Sequence, residues 1–200
     1  GISHGRWIHI CNRSGTTGHQ WCVQNWSKII EMLNRFLFIF LLLLPPAVFG
    51  QSRQEADLKA AFIFNFTRYI EWDSTTFDRD FVIGVIGTSP IMKPLGDIAR
   101  TNTVKGKRII VRYFNKPDDI VSCQILFIPR KLPYSLPSIL ERTGRGTLTV
   151  SEEPGYAKQG TSLNFIVVND KLKFEANLRS IYLSGLRAGS QLLKLAIIVE

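Results

Sequence analysis

FVIGVIGTSP, residues 81–90, holds the two signals on which the fold turns. Phe81 to Gly87 is a short apolar run, the pattern of a strand buried on both faces. Thr88-Ser89-Pro90 then offers a helix start, with Ser89 as N-cap and Pro90 at the first helical position. A helix reaching about Arg100 completes a strand–helix unit. Downstream the alternation continues: a strand from Lys107 to Phe114, a buried strand from Cys123 to Ile128, a short helix around Leu136 to Glu141, and a strand from Thr147 to Ser151. After the loop Glu152 to Gly160, Leu163, Phe165 and Val167 alternate on one arm of a hairpin. Leu172 and Phe174 do so on the other, and Asn169-Asp170 is the turn. From Ala176 the period is helical, and Gly185 and Gly189 punctuate two short helices. Strands alternating with helices early and a hairpin late predict an α/β fold: a single-domain sandwich with a mixed sheet flanked by helices, closed by a C-terminal β-hairpin plus helices.

Upstream, Asp73 to Thr76 reads as a polar turn, and Leu58 to Trp72 (LKAAFIFNFTRYIEW) as a helix rich in aromatics. At about 100° per residue, Leu58, Phe62, Phe66, Tyr69 and Ile70 share one stripe, with Thr67, Arg68 and Glu71 opposite. Lys59 and Asn65 fall inside the apolar arc, and Phe64 falls on the polar side. Most of these aromatics are expected to fill the core. Phe64 is the exception, a candidate partner-binding aromatic, because aromatic side chains are enriched at interfaces.

Before that helix lies a segment of another kind. Met32-Leu33-Asn34-Arg35 is a short basic start, Phe36 to Leu44 an unbroken run of nine apolar residues, and Val48 and Gly50 are small residues before a cut at Gly50-Gln51. Residues 32–50 thus read as a signal peptide and predict export. The run falls short of the roughly 20 residues of a spanning helix, and Gln51 in place of cysteine gives no lipid attachment. Residues 1–31 precede the first methionine and hold all three histidines. His9, Cys11, His19 and Cys22 are zinc-type ligands, but their spacing matches no usual template. Upstream sequence translated from a misplaced start is the preferred reading of 1–31. Residues 51–200 are then the working domain, long enough for one core.

That domain carries 21 Lys and Arg against 15 Asp and Glu, a net charge of +6. The basic residues are scattered, which argues against nucleic acid as a partner. It contains no histidine, which removes Ser–His and Cys–His nucleophile systems and the commonest metal ligand. Cys123 is its one cysteine, so no internal disulfide can form, and at the head of an apolar strand it reads as a small hydrophobe. Glu152-Glu153 and Asp118-Asp119 read as solvated carboxylates. No catalytic residue, cofactor or metal is expected. The turn Gly87, Thr88 and Ser89 is a candidate ligand crevice, since free N–H groups at a helix start bind anions and strand carboxyl ends favour ligands. Asn177, at a strand–helix junction, is suited to cap the helix that follows.

Taken in order, these blocks resemble the YfiR family of exported bacterial proteins. The resemblance spans Glu55 to Val199. It rests on Lys59 to Trp72, on Cys123 before its apolar strand, and on Leu148-Thr149-Val150-Ser151 leading through Gly155-Tyr156-Ala157 to Gly160. Lys173-Phe174-Glu175-Ala176-Asn177 and the tail from Gly185-Leu186 to Leu192-Leu193-Lys194-Leu195-Ala196 complete it. The resemblance implies a non-enzymatic periplasmic regulator that holds down an inner-membrane diguanylate cyclase, or a sensor kinase, through its periplasmic region. An outer-membrane lipoprotein relieves that restraint, raising cyclic-di-GMP output and biofilm formation. Some relatives carry cysteine pairs and respond to redox state, whereas this domain keeps only Cys123. The expected partner surface is Phe64, Arg68, Glu71 and Tyr156, with the Glu152 to Gly160 loop, and a homodimer would suit such a protein. The competing expectation is a periplasmic small-molecule sensor using Gly87 to Ser89.

Overall fold

The computed structural model describes residues 32, 51–72 and 80–200. The signal peptide, the zinc-type set and the Asp73 to Thr76 turn lie outside the described residues, Met32 alone excepted. Residues 49–200 cluster as one unit. It opens with helix α1 (Gln51–Tyr69) and the two-residue strand β1 (Ile70–Glu71), and continues with β2 (Phe81–Ile86), α2 (Met92–Thr101), β3 (Thr103–Val104) and β4 (Lys107–Phe114). A 3-10 turn at Pro117–Asp119 leads to β5 (Ile125–Ile128), α3 (Leu136–Leu140) and β6 (Leu148–Ser151). The hairpin β7 (Leu163–Val168) and β8 (Lys171–Asn177) precedes α4 (Leu178–Leu183), β9 (Arg187–Ala188), α5 (Ser190–Leu195) and β10 (Ile197–Val199). Eight strands form a mixed sheet in the order β10-β8-β7-β6-β5-β2-β4-β3, and β1 pairs with β9 in a separate ribbon. This is the α/β architecture with a mixed sheet, flanking helices and late hairpin that the sequence predicts.

The order of the central strands places the helices. β2 lies parallel between β4 and β5, and β6 continues outward from β5. The chain therefore leaves β2 in one direction through α2 to β4, and leaves β5 in the other through α3 to β6. Right-handed crossovers running in opposite directions put their helices on opposite faces. Leu95 of α2 accordingly packs into one core cluster with Ile83, Val85, Ile125 and Phe127. Leu136 and Ile139 of α3 pack into the other, with Ile86, Leu126 and Ile128. α1 shares the α2 face, where Phe66 meets Phe165 and Phe174 of the hairpin.

α1 differs from its predicted orientation. Its buried residues are Ala56, Lys59, Ala60, Ile63, Phe66 and Thr67, with Ile70 buried just past its end, whereas Leu58 is 46% exposed and Asn65 is exposed. The buried face centres on Ala56, Ala60 and Ile63 rather than on the largest side chains. Thr67 tolerates burial because its hydroxyl donates to the Phe64 carbonyl at 2.6 Å. The helix also ends before Trp72. Ile70 and Glu71 pair with Ala188 and Arg187, and the Gly189 N–H donates to the Tyr69 carbonyl at 2.7 Å. A Cβ at Gly189 would stand 3.1 Å from that same oxygen. Trp72 then turns inward, its indole N–H donating to the Gly146 carbonyl at 3.0 Å while its ring meets Phe81 edge-on at 5.3 Å.

Two turns were decided by local chemistry. Asn169 and Asp170 both have positive φ, 51° and 57°, as a two-residue I′ hairpin turn requires. Asn177 caps α4, its Oδ1 accepting from the Ser180 N–H at 2.9 Å, and its Nδ2 also donates to the Ala157 carbonyl at 2.8 Å. Ser89 does not cap α2 as predicted. The helix begins two residues later than Pro90, at Met92, and the cap position is Ile91 with no side-chain cap bond. The Ser89 hydroxyl reaches only the Ile91 N–H, at 3.4 Å. It closes a turn before the helix.

Cys123 is buried against Gly84, where an added Cβ would come 2.5 Å from the Phe114 ring and 3.3 Å from the Cys123 sulfur. Burial pushes the thiol up from 9.0 to about 12. Between those values the unfolded chain loses the proton and the folded chain keeps it. Stability contributed by the neutral thiol is therefore complete below pH 9 and falls by about 1.4 kcal/mol per pH unit above it. The expected result is a steeper alkaline loss of stability in the parent than in Cys123→Ala, measured by urea unfolding. Equal slopes would show that the thiol is not shielded.

Candidate functional site

Three local constellations stand out, and they differ in how far the sequence foretold them. The first surrounds Phe64. This residue is half-buried on the flank of α1, packed against the core cluster it shares with Phe66. One turn on, the Arg68 guanidinium lies over its ring, 5.7 Å from the centroid, in cation–π geometry. Both line a groove of about 370 Å³ with Thr67, Thr103, Val104 and Lys105. Arg68 and Lys105 are exposed, so the groove is cationic at its rim over an aromatic floor. Glu71 is exposed on β1, opposite Arg187 of β9. Tyr156 is elsewhere. It packs against the cluster of Ile86, Leu126 and Ile139 on the other face of the sheet, so Phe64 and Tyr156 cannot share one flat contact surface.

The second constellation joins α1 to the loop after β6. Lys59, inside the apolar arc of the helix, is buried to 8% exposure. Its ammonium pairs with the Glu55 carboxylate at 2.5 Å, one turn earlier, and donates to Glu152. Glu152 also accepts from the Arg130 N–H at 3.0 Å, and the Arg130 guanidinium donates back to the Glu152 carbonyl at 3.0 Å. The Glu152 side chain is 15% exposed. It is not the solvated carboxylate expected from its Pro-Gly loop, because Lys59 reaches it from across the fold. Beside the pair is a hollow of about 130 Å³ bounded by Glu55, Ala56, Ser89, Pro90 and Ile91.

The third lies where β2, β4 and β5 end. Gly87 turns the chain with φ +70°, and a Cβ there would come 2.5 Å from the Leu132 side chain. Only glycine meets both demands. Gly87, Thr88, Tyr113 and Asn115 line a crevice of about 200 Å³ with Arg130, Lys131 and Tyr134. Thr88 and Tyr113 also border an adjoining hollow of about 420 Å³ with Ser89, Pro90 and Met92. Three N–H groups in and after the turn are taken: Gly87 donates to the Phe114 carbonyl, Ile91 to the Ser89 hydroxyl and Met92 to the Ser89 carbonyl. The sequence pointed to Gly87, Thr88 and Ser89. The charged groups that complete the crevice come from the connection after β5, and nothing local to the turn could have found them.

Among the described residues no cluster of histidine, cysteine or acidic side chains could hold a metal ion, and no helix is long and apolar enough to cross a membrane. Among known protein families, a family model described as YfiR/HmsC-like matches residues 56–197. No curated protein matches the chain.

Proposed function

The chain belongs to the YfiR/HmsC-like family, and from that membership we propose that it is a non-enzymatic periplasmic regulator. In this reading it binds the periplasmic region of a membrane-bound diguanylate cyclase, or of a related sensor kinase, and restrains it. Cyclic-di-GMP signalling and biofilm formation follow from its release, for which an outer-membrane lipoprotein is the proposed agent. The family match across nearly the whole folded unit is the observation that carries this proposal. The Phe64 groove supports it further: a half-buried aromatic under a cation is the kind of anchor that dominates interface energies.

The test is co-purification of the tagged full chain with the periplasmic region of a diguanylate cyclase from the same genome. Capture of the cyclase is expected. Phe64→Ala is expected to weaken it about tenfold, near 1.4 kcal/mol, with cooperative unfolding retained. Failure of the parent chain to bind would remove the regulatory reading. Unchanged affinity in a folded Phe64→Ala variant would remove only this surface.

A further inference from the structure

We propose that the crevice at the carboxyl ends of β2, β4 and β5 binds a small organic anion, a carboxylate or phosphate head on a ring or short apolar body. This is a second site, independent of the regulatory reading above. Its location follows from topology. The chain departs from β2 and from β5 in opposite directions, so the connections after these neighbouring strands diverge and leave a gap above their carboxyl ends. Thr88 comes from the connection after β2, Tyr113 and Asn115 from the end of β4, and Arg130, Lys131 and Tyr134 from the connection after β5.

The lining sets the chemistry of the ligand. It holds two cations and no carboxylate of its own. Arg130 is held in place by the Glu152 carbonyl, at 3.2 Å from Nε and 3.0 Å from Nη2, with the Glu153 carboxylate 3.8 Å away. Lys131 is exposed and makes no ion pair with any described residue. Its backbone is left-handed, φ 60°, a conformation that a non-glycine residue adopts only at an energetic cost. The chain places an ammonium group there all the same. Around the cations stand hydroxyl and amide groups able to donate to oxygen, on Thr88, Tyr134 and Asn115. Tyr113 is 46% exposed and stands between this crevice and the apolar hollow of Pro90 and Met92. A head on Lys131 and Arg130 would therefore lay its body along Tyr113 toward Met92.

The experiment is calorimetric titration of the full chain with phenyl phosphate and with phenylacetate, and with benzyl alcohol as the neutral counterpart. Saturable binding of at least one anion is expected, at least tenfold tighter than that of the alcohol and weakening as salt is raised. Phosphate preference and carboxylate preference are separated by the two anionic arms. Lys131→Asn removes the charge with a residue that tolerates the left-handed backbone. It should weaken binding about tenfold, and Tyr113→Ala should weaken it several-fold. No saturable binding of either anion at millimolar concentration would overturn the proposal. So would equal affinity for alcohol and anion, or binding that a folded Lys131→Asn chain keeps in full.

Discussion

Lys59→Met is expected to destabilise the fold by about 3 kcal/mol, the lower end of what breaking a buried ion pair costs. Methionine nearly matches the volume of lysine and suits a helix, so packing and propensity change little. The loss falls on Glu152, whose carboxylate is 15% exposed and would keep only the Arg130 N–H among its present partners. Glu55 contributes less, because its side chain is half exposed and water can replace the lysine. Glu152→Gln alone should also destabilise, leaving the Lys59 ammonium short of a counter-charge. The double variant Lys59→Met, Glu152→Gln should recover at least 1 kcal/mol of the summed losses, since neither charge is then stranded. Urea unfolding of the four proteins checks this. Singles within about 0.5 kcal/mol of the parent would mean that the pair behaves as an exposed one. Hydrogen exchange adds a local readout: the pair ties the start of the Glu152 to Gly160 loop to α1, so Lys59→Met should speed exchange in that loop first.

That pair marks the boundary of what the sequence could say. Alternation of apolar runs is local information, and it foretold the strand–helix order, the hairpin and the Asn177 cap. Lys59 in the apolar arc was legible too, as a charge needing company. Its partner stands 93 residues away, and no period or motif links the two. The rotation of α1 failed for a related reason. A helical wheel ranks residues by hydrophobicity, but the buried face depends on which neighbours pack against the helix, and it centres on Ala56, Ala60 and Ile63. Ser89 and Pro90 carried good helix-start chemistry, yet Ile91 is fully buried, and a turn ahead of α2 delivers it to the core. The strand-end crevice could be anticipated only at its Gly87 to Ser89 wall. Its cations depend on β5 being the neighbour of β2, which is a fact of topology.

Phe66→Ala is expected to cost about 3–5 kcal/mol, the usual range for emptying a buried phenylalanine site. The residue is 1% exposed and is the hinge of an aromatic cluster. Its ring meets Phe174 edge-on at 5.0 Å, lies stacked on Phe165 at 6.0 Å, and is tilted against Phe62 at 6.2 Å. Phe165 and Phe174 face each other across the hairpin, so they cannot slide into the vacated space without breaking strand register. The cavity therefore stays largely open, which puts the cost in that range rather than near the bare transfer term. Phe66→Leu fills most of the space and should lose under 1.5 kcal/mol. Against a total stability of about 5–15 kcal/mol, the alanine variant would be marginal at physiological temperature. Urea unfolding followed by fluorescence reads both variants, since Trp72 belongs to the same core cluster. The contrast between them also bears on function. Phe64 owes its presentation to α1 resting on this cluster two residues away, so Phe66→Leu should leave partner capture intact while Phe64→Ala does not. A loss below about 1.5 kcal/mol in Phe66→Ala would mean that α1 is held to the sheet by something other than its aromatics.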